Sequence, residues 1–124
     1  MGRIIVHLHG TPSNVKMSGL VEDYAARLKS KVRIEIHNSK LSPIDYLSKL
    51  PSEVILLDEG GAEMSSEAFA KRFSEWTIST EDIHLAIGPA DGFPKDHGHT
   101  SISLSKMTFP HELAAVLLVE QLYR

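Results

Sequence analysis

The 124-residue chain has no cysteine. Disulfides, thiolate metal centres and cysteine nucleophiles are therefore excluded. No apolar run approaches the roughly 18 residues of a membrane span, so no membrane partner is expected. Positive charge is not in excess either. The formal net charge is −3, which argues against a protein held to nucleic acid by bulk electrostatics, because such proteins are usually basic. A local basic cluster, Arg27, Lys29, Lys31 and Arg33, straddles a predicted helix end and strand start. Cations at a helix C-terminus are expected from the dipole, and the cluster reads as solvated surface. No Gly-x-Ser-x-Gly elbow surrounds Ser13, Ser18 or Ser105, which disfavours a serine hydrolase. No Walker-type Gly-Lys-Ser/Thr loop is present, which disfavours nucleotide hydrolysis. The opening Arg3-Ile-Ile-Val-His-Leu-His9 is too short and too strand-like for a signal peptide. A cytoplasmic location fits these exclusions.

What is present is an ordinary globular balance, 42% hydrophobic and 23% charged, sized for one domain with one core. Strand and helix signals alternate. Residues 3–9, 32–37, 53–58, 82–88 and 101–106 read as strands, the central ones as continuous apolar runs suited to burial on both faces. Helices are expected over 18–29, with Leu20, Tyr24 and Leu28 on one stripe, and over 42–50, stopped by Pro51. Another follows a Ser65 or Ser66 cap, with Phe69, Phe73 and Trp76 on one face. The last runs from Pro110, which suits a first helical turn. Gly60-Gly61 is expected to turn the chain. The alternation implies an α/β fold, a mostly parallel sheet with helices on both faces. The last helix has no broad polar face: Leu113 to Val119 and Leu122 are all apolar. A helix apolar all round must be covered all round, and a second copy of the chain is the economical cover.

The residues 83–124 carry a specific pattern. Leu85-Ala-Ile-Gly-Pro-Ala-Asp-Gly92 closes a buried strand with a glycine-bounded turn. Leu104-Ser-Lys-Met-Thr-Phe-Pro-His111 leads into the last helix, which closes on Glu120-Gln-Leu-Tyr-Arg124. With Val54-Ile-Leu-Leu-Asp58 and Gly60-Gly61, these segments resemble the SPOUT class of RNA methyltransferases, and within it the RlmH family. The resemblance implies one SPOUT-type domain over 1–124 with a C-terminal trefoil knot. It implies an S-adenosylmethionine-dependent enzyme that methylates N3 of a pseudouridine in large-subunit (23S) ribosomal RNA. Ribosomal RNA or the large subunit would be the partner, and the enzyme would be a homodimer through the C-terminal helix.

Carried over residue by residue, the resemblance implies that Leu57 and Gly88 line the cofactor pocket. Leu104, Ser105, Lys106, Met107, Thr108 and Phe109 would form the loop that wraps it. Glycine lets backbone approach a ligand closely. Two departures stand out. Pro89 replaces the second glycine of the family's turn and removes an N–H donor, and Asp91 stands for its glutamate. The family also continues past Tyr-Arg with a Pro-Tyr-His-Arg-like tail at the active site, whereas this sequence ends at Arg124. A shortened relative that binds cofactor or RNA without turnover is the alternative expectation, and an unrelated nucleotide-binding α/β domain a third. His111 is the candidate general base, at a helix start beside the cofactor loop; capping or packing is the competing role. Arg124 is the candidate RNA contact, with an interface salt bridge or a solvated end as the competing role, as for Glu120. His7 and His9 share a strand face and His97 and His99 flank Gly98, but neither pair has a third ligand at a diagnostic spacing; no metal is expected.

Overall fold

The computed structural model describes residues 3–10, 14–28, 31–89, 92–94, 97–103 and 111–123. The elements run β1 (Ile4–His9), α1 (Val15–Arg27), β2 (Val32–His37), α2 (Pro43–Ser48), β3 (Ile55–Glu63), α3 (Ser66–Ile78), β4 (Ile83–Ile87), β5 (Ser101–Ser103) and α4 (His111–Tyr123). The strands form one sheet in the order β2-β1-β4-β3-β5, and every pairing is parallel.

Local chemistry sets the helix starts. The Asn14 side chain accepts from the Lys16 and Met17 amides, so α1 begins three residues earlier than the apolar stripe suggested. Ser42 caps α2 through the Asp45 amide, with Pro43 in the first turn. Ser65 caps α3 through the Ala68 amide. On α3, Phe69 and Trp76 are buried and meet edge to face at 5.8 Å, with Phe73 packed beside them.

Strand alternation divides the sheet into two unlike faces. Ile4, Val6, Leu8, Val32, Leu85, Ile87 and Ile102 point to one face and pack with Val21 and Leu28 of the α1 region, Phe69 and Trp76 of α3, and Leu118 and Leu122 of α4. Leu56 and Ala86 point to the other and pack with Tyr46 and Leu50 from α2 and its exit, and with Val54. Helices therefore lie on both faces, as expected, but the cover is unequal: three long helices against one of six residues.

Two expectations change. Gly60-Gly61 does not turn the chain. β3 runs on through both glycines to Glu63, with a register shift against β5 between Leu57 and Ala62. The reason is close approach. A Cβ on Gly61 would stand 2.7–2.8 Å from the backbone of Ser101 and Ile102, so only glycine lets the two strands meet there. Second, the chain encloses much of α4 by itself: Ala115, Val116, Leu118, Val119 and Leu122 are buried against α1, α3 and the sheet. Leu113, Ala114 and Leu117 are left half-covered. The last strand is described only as far as Ser103; its expected continuation over 104–106 lies outside the described residues.

Candidate functional site

Ligands in open parallel sheets sit beyond the carboxyl ends of the strands. Here β3 and β4 bring Leu57 level with Ile87, one residue before Gly88, and Leu57 is also level with Ile102 of β5. Two of the expected cofactor residues, Leu57 and Gly88, thus stand on adjacent strands at one sheet edge. Both are half-buried. After β4 the chain makes the turn anticipated from Gly88 and Gly92: the Gly92 amide donates to the Pro89 carbonyl at 2.8 Å, and Gly92 has φ +80°. That left-handed conformation is nearly free for glycine and costly for other residues. Gly88 is covered by the Phe93 ring, which a Cβ there would meet at 3.2 Å.

The edge is braced from beneath. The buried Tyr46 hydroxyl donates to the Ile87 carbonyl at 2.8 Å, and its ring lies parallel to Phe93 with centroids 6.0 Å apart. Burial raises the Tyr46 pKa above the ordinary phenol value, which keeps it a hydrogen-bond donor. His97 Nε2 stands 3.4 Å from an Asp58 carboxylate oxygen. The His99 amide donates to His97 Nδ1 at 3.0 Å, so the ring proton belongs on Nε2 and faces Asp58. The other Asp58 oxygen accepts from the Gly60 amide at 3.1 Å. Sequence reasoning noted Asp58 and His97 separately and missed their pairing.

Beside β5 lies a recess of about 260 Å³ lined by Met64, Ser65, Ser66, Phe69, Ile102, Ser103, Leu117 and Gln121. It is mainly apolar with a few polar atoms, the usual make-up of a small-molecule site, and it adjoins the last described residue before 104. Of the remaining expected residues, His111 is the first residue of α4. Its side chain, the loop residues Leu104 to Phe109 and Arg124 lie outside what is described.

A second constellation was not legible. His7 belongs to β1, His37 to β2 and His84 to β4, three adjacent strands. His7 Nδ1 lies 2.8 Å from His37 Nε2, and His7 Nε2 lies 2.9 Å from His84 Nδ1. His7 is 3% exposed. Burial, then the neighbouring His37, lower its pKa to about 4, against a smaller opposing pull from Glu35. Burial also lowers the pKa of His37. His9, the partner suggested by spacing, points instead at the Leu41 carbonyl, 2.7 Å from its Nε2.

An all-parallel sheet whose carboxyl edge gathers the glycine turn, Leu57 and a braced β4 end is the frame of a cofactor-binding α/β protein. The chain belongs to the SPOUT methyltransferases: a family model described as "Predicted SPOUT methyltransferase" matches residues 3–124. It is similar to the ribosomal RNA large subunit methyltransferase H of Anaeromyxobacter sp. (strain Fw109-5), 41% identical over 122 residues, covering 84% of this chain and 80% of that one. It is also similar to the protein of the same name from Solibacter usitatus (strain Ellin6076), 35% identical over 126 residues, covering 98% and 91%. Among solved structures, a Legionella pneumophila methyltransferase with SAM bound matches at 14% identity and a TM-score of 0.46, covering 96% of this chain and 65% of that one.

Proposed function

We propose that this chain is an S-adenosylmethionine-dependent methyltransferase acting on large-subunit ribosomal RNA, with N3 of a pseudouridine as acceptor. The observation that carries this is the family match across residues 3–124, together with relatives of 41% and 35% identity named as ribosomal RNA large subunit methyltransferases. The whole of 1–124 serves as one SPOUT-type domain in the cytoplasm, threaded through the C-terminal knot of its class. No helix among the described residues is long and apolar enough to cross a membrane.

Leu57 and Gly88 hold the cofactor edge, with Leu104 to Phe109 wrapped over it and the recess beside Ser103 taking an apolar part. The bound cofactor supplies an electrophilic sulfonium methyl. The protein's share is mostly orientation, which is worth roughly 7–11 kcal/mol in the best intramolecular cases. The acceptor N–H must lose its proton, and a positioned base adds about 10²–10⁴-fold. His111 takes that role. Arg124 contacts an RNA phosphate. A homodimer through α4 would cover the half-exposed Leu113, Ala114 and Leu117.

The test is transfer of labelled methyl from S-adenosylmethionine to intact ribosomes, run beside calorimetry with S-adenosylhomocysteine. Binding with incorporation is the expected result, and His111→Ala should keep the binding and lose the incorporation. Binding without incorporation into ribosomes or free RNA would establish a cofactor-binding relative instead. Absence of heat at high micromolar ligand would overturn the cofactor assignment.

A further inference from the structure

The sheet face opposite α1, α3 and α4 is not a second aliphatic layer over β4, β1 and β2. It carries His84, His7 and His37 in a row, with Glu35 level with His7 on β2. We propose that His7, His37 and Glu35 form a binding site for a divalent transition metal, zinc first, with His84 orienting His7 from behind.

The geometry suits this ligand set. One nitrogen of His7, one of His37 and one oxygen of Glu35 all lie within 4.8 Å of one another. Tetrahedral zinc with bonds of about 2.0–2.1 Å holds its nitrogen ligands roughly 3.3 Å apart. The facing His7 Nδ1 and His37 Nε2 stand at 2.8 Å, so an opening of about half an ångström admits the ion. With neutral His7 protonated on Nε2 toward His84, its Nδ1 accepts from His37 Nε2–H. The metal displaces that proton from between the rings, and His37 becomes the Nδ1–H tautomer by exchange with solvent, so both rings stay neutral. Two imidazoles and a carboxylate are the donors zinc prefers when thiolate is absent, and three protein ligands leave one position for water.

The partner behind His7 is already in place. Metal-bound histidine commonly donates its other ring N–H to a fixed acceptor, which sets the tautomer. His84 Nδ1 lies 2.9 Å from His7 Nε2 and can accept that proton. The nearby cations oppose the metal only weakly. Arg33 touches Glu35 at 3.5 Å with both side chains about half exposed, and such a pair is worth about 0–1 kcal/mol. Lys49, the other cation facing His37, acts at longer range. Glu35 and His37 are reachable from solvent, so the ion has an entry path. The site clips the edge strand β2 to β1. It does not depend on the methyltransferase reading.

The experiment is titration of the EDTA-dialysed protein with zinc chloride by calorimetry, repeated with cobalt chloride and read by visible absorption. The expected result is one ion per chain and a tetrahedral cobalt spectrum. His37→Gln and Glu35→Gln should each weaken binding at least tenfold, His84→Ala by about 10–100-fold, and His9→Gln should leave it unchanged. Circular dichroism checks that each variant is folded. Glu35→Gln changes only an exposed carboxylate, so it decides the matter if His37→Gln is unfolded. No uptake by the folded wild type overturns the site. So does zinc binding that survives both His37→Gln and Glu35→Gln, for the ion would then sit elsewhere, with His97 and His99 the next pair to examine.

Discussion

The two faces of this sheet are built from the same strands and do different work. On β1, Val6 and Leu8 point into the aliphatic layer under α1, α3 and α4, while His7 between them points the other way, into a row of imidazoles. Burying each large aliphatic side chain on the first face contributes roughly 1.5–3 kcal/mol. On the second face, Tyr46, Leu50, Val54, Leu56 and Ala86 form a small core near β3 and β4, and over β4, β1 and β2 the buried Ile5 stands beside a row of hydrogen-bonded histidines. Among the described residues, no buried side-chain nitrogen or oxygen lacks a partner. A satisfied polar face is close to neutral in stability but costly to disturb by halves. Stability should therefore respond mainly to cavities on one face, and to protonation or loss of single hydrogen bonds on the other.

The largest effect should come from the helix-covered face. Leu118 and Leu122 are fully buried. Leu118→Ala removes buried methyl groups and leaves a cavity, at a cost of about 2–5 kcal/mol. The urea midpoint should fall with little change in the slope of the transition. A loss below about 1 kcal/mol would mean that α4 is loosely held within the single chain, and the contrast between faces would collapse.

Next is the response of the histidine row to acid, measured without added metal. The His7 pKa is about 4 in the folded chain against an ordinary value of 6.5. The unfolded state therefore binds more protons between those values. Stability rises with pH across that window: it is fully present above about 6.5, is lost as pH falls toward 4, and levels off below. The full shift corresponds to about 3 kcal/mol, and sharing of the proton among the coupled rings brings the expected loss to roughly 1–2 kcal/mol. The check is a series of urea melts from pH 4 to 7. His7→Val should flatten the slope in that window; an unchanged slope would assign it to other groups.

Smaller still is Tyr46→Phe. It keeps the ring against Phe93 and removes the hydroxyl that donates to the Ile87 carbonyl at the start of the glycine turn. A lost hydrogen bond with a buried carbonyl left behind costs about 1 kcal/mol, somewhat more if water cannot reach it. The thermal midpoint should drop by a few degrees. Because the bond braces the strand leading into Gly88, affinity for S-adenosylhomocysteine should fall alongside. A drop in stability with unchanged affinity would separate the small core from the cofactor edge.

Much of this was legible beforehand. Strands buried on both sides write themselves as apolar runs, so Ile55 to Leu57 and Leu85 to Ile87 were read directly; Pro51 marked the end of α2, and a serine cap followed by apolar periodicity marked α3. The glycine turn was read too, since only glycine takes the φ of Gly92 without strain. Gly60-Gly61 misled because paired glycines usually punctuate. Gly61 serves instead a close contact with Ser101 and Ile102, some forty residues away in sequence. The histidine row was hidden for the same reason. His7 sits 30 residues from His37 and 77 from His84, and only strand order and register bring them together. Spacing along one strand suggested His9 in their place. Asp58 and His97 likewise meet only through the fold.

The smallest predicted effect isolates what the polar face gains from solvent-exposed charge. Arg33 and Glu35 lie two apart on β2 and approach at 3.5 Å, with side chains 57% and 45% exposed. At that distance and exposure the attraction is nearly cancelled by screening and by the entropy of holding two long side chains. Arg33→Ala should change stability by no more than about 0.5 kcal/mol, within the scatter of repeated denaturant melts, and the change should vanish at high salt. The same variant frees the Glu35 carboxylate for the proposed ion. Zinc affinity should therefore hold or rise while stability stays put. A loss of several kcal/mol on Arg33→Ala would show that this face leans on its exposed charges after all, and that its difference from the aliphatic face lies in electrostatics rather than in packing.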